Sequence, residues 1–508
     1  MSTHSVAEGV SVAPASAAAS SATATRRALG NSVFLAAYYI GDAAMLFGIN
    51  VLLARHLGVI EYGRVALALS YGLLISALDP GFGFAVTKFV ARDPRGENPW
   101  VRQSISLRLT LTAGLLLLGL VPLPFSAYLR QNAFFIMIVG GSEVLRSITT
   151  ACCAVFRGFQ SMGWEALVVA TERTTLLGGA AWLLHTGHGT RAIGFMFLAA
   201  RLVSLLLALA IVGWKSGSSI RFEPWPPLAG TLLWEAYPLS LMSLSARINL
   251  YLPPFLLGLL SGEAAAGTFQ AAGKIIMLPY LICDVIGGGM FPAMSAAYRD
   301  SAQIRKLYRY GVRLLWHCLL PCSLMTLLFP QAIVRVVFGE QYMGAARLLQ
   351  LMTPFYVFQA VVTMSYNLLT AINHQKTAMR LWMTSVLLNA TLAPLLVKLY
   401  GVDGAALSLS VTNAVIAAGY WWSTAKRDLL FFTSRRDLWQ WPGFLVTLVP
   451  LYWISLRWPV HGWMQLLVAA TACVVLYSAV LALTGGLLPE EMRLLSSLPS
   501  RWSRRRTL

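Results

Sequence analysis

The chain has 508 residues, 57% hydrophobic and only 12% charged, with mean hydropathy +0.65. Soluble domains carry about 25% charged residues, so a soluble enzyme, a disordered chain and a disulfide scaffold are excluded, and an all-α polytopic membrane protein is left; the alternating strands of a β-barrel would not raise a hydropathy sum this far. The formal net charge of +19, from 39 Lys and Arg against 20 Asp and Glu, calls for basic loops held against anionic lipid rather than for nucleic acid.

Residues 1–25 are mostly Ser, Ala and Thr, with no Lys or Arg. They lack the charge-then-apolar order of a secretory signal. Residues 1–30 read as a disordered cytoplasmic tail, closed by the positive anchor Arg26-Arg27. A spanning helix needs about 20 mostly apolar residues, and about fourteen candidates follow. They lie near 32–55, 65–91, 105–129, 133–156, 165–186, 192–213, 232–260, 265–290, 310–329, 348–371, 379–399, 403–424, 441–458 and 463–485. They group into an N-lobe over 31–215, a C-lobe over 231–425 and an appended pair over 441–486, before a basic cytoplasmic tail over 487–508.

With the N-terminus in the cytoplasm, inner segments carry roughly 23 Lys and Arg and outer segments roughly 8, so both termini are expected to be cytoplasmic. The inner loops include Arg299, Arg305, Lys306 and Arg309, then Lys426, Arg427, Arg435 and Arg436. Trp421, Trp422, Trp439, Trp441, Trp458 and Trp463 fall at span ends, where interfacial anchors belong. Every connection is short, which leaves no outer loop for a catalytic domain and argues against a membrane glycosyltransferase or polysaccharide polymerase. No phosphate-cradling loop or zinc-protease motif is present, so the chain reads as no enzyme, with no cofactor. The six cysteines lie in apolar stretches without a CxxC pair and read as small buried hydrophobes, not as metal ligands.

The sequence repeats itself. Leu52-Leu53-Ala54-Arg55-His56-Leu57-Gly58 with Glu61 and Gly63 matches Leu256-Leu257-Gly258-Leu259-Leu260-Ser261-Gly262 with Glu263 and Gly267. Asp79-Pro80-Gly81-Phe82-Gly83 faces Asp284, Gly287 and Gly288, and Phe156-Arg157-Gly158-Phe159-Gln160 echoes the stretch from Thr370 to Gln375. Six spans therefore repeat once, in the parallel sense that an even number of spans imposes. Pro80, Gly81 and Gly83 in the second span, and Gly287 and Gly288 in the eighth, are expected to bend or break their helices and to serve as gates.

Charged side chains inside a bilayer are costly and need a partner or water. The embedded bases are Lys88, Arg108, Arg146, Arg173, Arg201, Arg247 and Lys274, and the acids are Asp42, Asp79, Glu143, Glu172 and Asp284. Lys274 and Arg247 lie too deep to snorkel. They, with Asn249 and Arg146, are the candidate cavity-lining, substrate-binding residues. Lys88, Arg108 and Arg201 read as snorkelling to an interface. Glu143 and Arg146 share a helix face and read as a pair, whereas the neighbours Glu172 and Arg173 point apart. The five carboxylates are candidates for ion pairing or for carrying a coupling ion. The basic surplus suits an anionic substrate such as a pyrophosphate and suits a cationic drug poorly.

The Leu52–Gly63 segment with Asp79-Pro80-Gly81-Phe82-Gly83, then Phe338-Gly339-Glu340-Gln341-Tyr342, Asn389 and Gly401-Val402-Asp403-Gly404-Ala405-Ala406, resembles Wzx-type polysaccharide flippases of the multidrug/oligosaccharidyl-lipid/polysaccharide exporter superfamily. The resemblance covers about residues 30–425. It implies a bacterial inner-membrane flippase with two six-helix lobes around a cationic cavity. The cargo would be an undecaprenyl-pyrophosphate-linked oligosaccharide moved to the periplasmic leaflet, for O-antigen, capsule or exopolysaccharide. Membrane lipids, and a polysaccharide polymerase with its export machinery, are the partners that follow. In the related lipid II flippases two extra helices form a groove for the lipid tail, which is one role for the appended pair here. A lipid II flippase and a drug/cation antiporter are the rival readings within the superfamily.

Overall fold

Glycines in the left-handed backbone region decide where this chain turns back on itself. The computed structural model describes residues 14–78, 83–92, 98–216, 223–429, 440–458 and 460–484, with side chains described from residue 40 except at 216, 238–239 and 242–243. Asp79, Pro80, Gly81, the N-terminal 13 residues, Arg435, Arg436 and the basic tail lie outside the described residues. Every regular element among the described residues is helical.

In chain order the helices are α1 (Pro14–Ala77), α2 (Gly83–Arg92), α3 (Pro99–Leu118), α4 (Ala127–Gln131), α5 (Ala133–Gly158), α6 (Met162–His185), α7 (Thr190–Ser216), α8 (Ala229–Ser261), α9 (Glu263–Ala296), α10 (Ser301–Leu328), α11 (Pro330–Val337), α12 (Ala345–Met352), α13 (Pro354–Ala371), α14 (Gln375–Ala425), α15 (Gln440–Arg457) and α16 (Trp463–Leu483). Helix α1 begins at Pro14, inside the stretch expected to be a disordered tail; its alanines are the best helix formers. Among the described residues, eight helices are long and apolar enough to cross a membrane, or nine if the bent pair α12 and α13 is one span. The count differs from the expected fourteen for physical reasons. Helices α1 and α14 each join two helices at a glycine, Gly58 and Gly401. Helices α6, α8 and α15 are absent from the apolar set; α6 carries Glu165, Glu172 and Arg173, and α8 carries Glu235 and Arg247.

The repeat is present in the backbone. Gly58 (φ 77°, ψ 175°) and Gly262 (φ 91°, ψ 175°) hold the same conformation at matched positions, one that side chains beyond glycine rarely adopt. The ends of α5 and α13 also correspond: Gln160 (φ 52°) and Asn373 (φ 61°) are left-handed. Each is followed by an amide that reaches back to close the helix, Ser161 N to Phe156 O at 2.9 Å and His374 N to Leu369 O at 2.7 Å. This sets Gln160 against Asn373, a small correction to the register of the sequence match. A third pair of left-handed glycines is Gly187 and Gly401.

Helices α1, α2, α3, α6 and α7 gather around α5, and α9, α10 and α14 gather around α13, with α8 packed on α14 and α9; α1 joins the two groups by packing on α8 and α9. Gly63 and Gly267 form that junction. A Cβ on Gly63 would collide with the Glu263 carbonyl oxygen, and one on Gly267 with the Val59 carbonyl oxygen. Two repeat-related glycines thus let two repeat-related helices touch backbone to backbone, as self-complementary interfaces do. Gly63→Ala and Gly267→Ala are each expected to lower stability by about 1–3 kcal/mol through overpacking. Thermal unfolding in detergent checks this, against Gly230→Ala, where a Cβ meets open space.

Helices α15 and α16 pack on each other and on α10. Gln440 Nε2 donates to Arg313 O at 3.0 Å, and the His317 ring lies tilted against Tyr477 with ring centroids 5.7 Å apart. Trp441 packs on Trp316 at 5.4 Å, so it serves the helix contact instead of an interface, while Trp421, Trp422 and Trp463 are exposed as anchors should be. Cys152, Cys153, Cys283 and Cys473 are buried, and Cys318 and Cys322 half-buried.

Candidate functional site

Four helices of the N-terminal half point charge at one place. Arg173 on α6 donates from Nε to Asp42 Oδ1 on α1 at 2.7 Å, and from Nη1 to Glu172 Oε1 at 2.9 Å. Arg201 on α7 gives one guanidinium nitrogen to Glu172 and the other to Glu143 on α5. Arg146 reaches Glu143 Oε2 at 3.4 Å. Glu143, Glu172, Arg173 and Arg201 are all buried. The planar fork of Arg201 suits this bridging role, because two carboxylates can be held by two different nitrogens.

Lys274 enters the same space from α9, in the other half. It lines a cavity of about 90 Å³ with Glu143, Arg146, Arg173 and Arg201, and the adjoining cavity of about 290 Å³ with Asn50, Tyr251 and Gln270. It makes no ion pair or hydrogen bond among the described residues. Three carboxylates therefore face four bases, and the base in excess is the one nearest the open cavity. Beyond it, two more cavities of about 160 and 280 Å³ continue into the C-terminal half, each sharing residues with the last.

The structure sorts the other candidates. Asn249 lies in the third cavity, where its Nδ2 donates to Ser385 Oγ. Asp284 lines the fourth and has no ion pair among the described residues. Arg247 is not among the residues lining these cavities. Its Nη1 donates to Ser76 Oγ at 3.0 Å, tying α8 to the end of α1. Glu172 and Arg173 do pair, against the expectation for neighbours, because Arg201 draws Glu172 inward to the side that Arg173 faces. Arg201 and Arg108 do not snorkel; they are 3% and 2% exposed. Lys88 pairs with the half-exposed Glu235 of α8, a partner that hydropathy did not single out.

The expected break at Gly287 and Gly288 is absent, since α9 runs as one helix through both. A Cβ on Gly287 would press on Thr363 and Asn367 of α13, so this glycine permits close packing, while Gly288 faces cavity space. Gly83 opens α2.

One end of the crevice between the halves is latched. Arg64 Nε binds Glu263 Oε1 at 2.8 Å and its Nη1 binds Glu61 at 3.0 Å, Tyr128 OH donates to Glu263 at 2.6 Å, and Thr190 donates to Glu61. Tyr342 OH donates to Ala54 O at 3.0 Å, and the Arg55 guanidinium holds the carbonyls of Val336 and Val337. Arg64 and Glu263 directly follow the repeat glycines Gly63 and Gly262, which was the available signal for this pair.

A family model described as Polysaccharide biosynthesis protein matches residues 28–298, more than half of the chain, and one described as MatE matches residues 238–395. A Haloferax volcanii protein named "Probable low-salt glycan biosynthesis flippase Agl15" is 22% identical over 369 residues, covering 71% of this chain and 76% of that protein. The lipid II flippase MurJ in an inward closed conformation superposes with a TM-score of 0.73 at 15% identity, over 89% of this chain and 98% of that one. An inward-facing multidrug resistance transporter of the MATE family, in the MOP superfamily, gives 0.66 at 17% identity, over 77% and 96%. These two likenesses show a shared fold.

Proposed function

The chain belongs to the polysaccharide biosynthesis protein family, and from that premise we propose that it flips a lipid-linked oligosaccharide across a membrane. The observation that carries the reading is the surplus base at Lys274, facing a cavity between the two halves. A pyrophosphate linkage is the anion such a site attracts, and a cationic drug is repelled by it. The polyprenyl tail stays in lipid while the sugars cross between the halves. Alternating release of the Arg64–Glu263–Glu61 latch and of the Lys88–Glu235 pair, both of which join the halves here, gives alternating access. The two six-helix lobes are the moving bodies, and α15 with α16 rides on α10 beside the path of the lipid tail.

The basic loops favour cytoplasmic termini, and the family resemblance supports a bacterial inner membrane with transport from the cytoplasmic to the periplasmic leaflet. The cargo is an undecaprenyl-pyrophosphate-linked repeat unit bound for a surface polysaccharide, where a polymerase and export machinery take it over. Asp42, Glu143 and Glu172 hold the bases in place, and among the described candidates Asp284 is the carboxylate left to carry a coupling ion. Cells lacking the protein are expected to accumulate complete lipid-linked units that periplasmic enzymes cannot reach. Incomplete units would point to a transferase instead, and lysis of the cells to lipid II transport.

A further inference from the structure

The third cavity differs from the cationic one in kind. It is walled by α8, α9, α13 and α14, holds about 160 Å³, and has no charged residue in its lining. Its polar groups are amides and hydroxyls, and its apolar faces include Trp382, Tyr280 and Phe355. The amides are held in place. Asn389 Nδ2 donates to Asn249 O at 3.0 Å, and Asn413 Nδ2 to Gln359 Oε1 at 3.2 Å. Two polar atoms are left over: Asn389 Oδ1 and Thr412 Oγ1 are buried without a hydrogen-bond partner. Their residues are 1% and 5% exposed. An orphaned polar atom in a membrane interior costs free energy and calls for an explanation.

We infer that this cavity is a subsite for an uncharged sugar of the cargo, reached from the Lys274 cavity past Leu250, Met277, Tyr280 and Leu409, which line both. Sugar hydroxyls donate to Asn389 Oδ1 and exchange hydrogen bonds with Thr412 Oγ1. The C–H face of a pyranose carries slight positive charge and lies against the electron-rich ring faces. No base is present to pair a uronic acid, and Asp284 in the next cavity repels one. The inference rests on the flippase reading for its cargo, but it concerns separate residues.

The test uses the purified full-length protein and two probes. One is the neutral oligosaccharide freed by mild acid from the producing cells' own lipid-linked pool, and the other is inorganic pyrophosphate. Binding is read by equilibrium dialysis. Thr412→Val removes a hydroxyl that bonds nothing in this structure, so the fold is retained, and sugar binding is expected to fall about threefold; Asn389→Leu is expected to weaken it about tenfold. Both leave pyrophosphate binding unchanged, and Lys274→Met does the reverse. No sugar binding by the parent protein, or equal binding by Thr412→Val, overturns the subsite. Sugar binding that depends on Thr412 and Asn389 without any pyrophosphate binding upholds the subsite and overturns the cationic end of the flippase reading.

Discussion

Lys274→Met is expected to cut translocation of lipid-linked oligosaccharide by roughly tenfold to a hundredfold, the equivalent of one charge-assisted hydrogen bond of about 1.5–3 kcal/mol. The reason is in the pairing. Arg146, Arg173 and Arg201 are already held by Asp42, Glu143 and Glu172, and Lys274 has no carboxylate of its own. Methionine matches the lysine stem in length and suits the apolar wall, so insertion and folding are retained. Leaflet accessibility of the cargo in reconstituted vesicles measures the effect. Lys274→Arg keeps the charge and restores most of the activity. A methionine variant that flips at the parental rate would show that the surplus base is a packing residue and would remove the main support for an anionic cargo.

The second large effect is on stability. Arg201→Leu leaves Glu143 with Arg146 at 3.4 Å, and Glu172 with Arg173 and a long 3.4 Å hydrogen bond from Ser204, inside a membrane. Removing one partner from a buried charge cluster costs on the order of 3–5 kcal/mol. The variant is expected to unfold at lower temperature in detergent and to reach the membrane in reduced amount. Arg201→Lys recovers little, because one ammonium cannot span two carboxylates as the guanidinium fork does. The same substitution made together with Glu143→Gln and Glu172→Gln is expected to be milder than Arg201→Leu alone, since it removes the stranded charges as well. A fluorescence melting series over the three proteins decides the matter.

The family resemblance, the all-helical membrane class and the parallel repeat were legible in the sequence. Each depends on signals local to a segment. A run of apolar residues forms a helix wherever it stands, and a glycine forced to positive φ cannot easily be replaced, so Gly58 and Gly262 mark the same turn in both copies. The match at Gln160 and Asn373 was visible too, although its register needed the hydrogen bonds that close α5 and α13. No break falls at Gly287, because a glycine signal has two physical meanings, a break or a close approach, and only the neighbouring Thr363 and Asn367 tell them apart.

By itself, then, the sequence determined that this chain is a membrane-embedded helical repeat with more bases than acids in its spans. Only the tertiary structure decided which of those bases is free. Spacing along one helix found the 3.4 Å contact between Glu143 and Arg146, but the closer contacts join Arg173 to Asp42 and Arg201 to Glu143, across 131 and 58 residues. Coulomb energy depends on separation in space, and separation in space between helices is set by packing, at glycine contacts such as Gly63 on Gly267. That is why Arg201, which the sequence reads as snorkelling, is buried in the fold and neutralised as a strut, while Lys274 faces the cavity with no ion pair among the described residues.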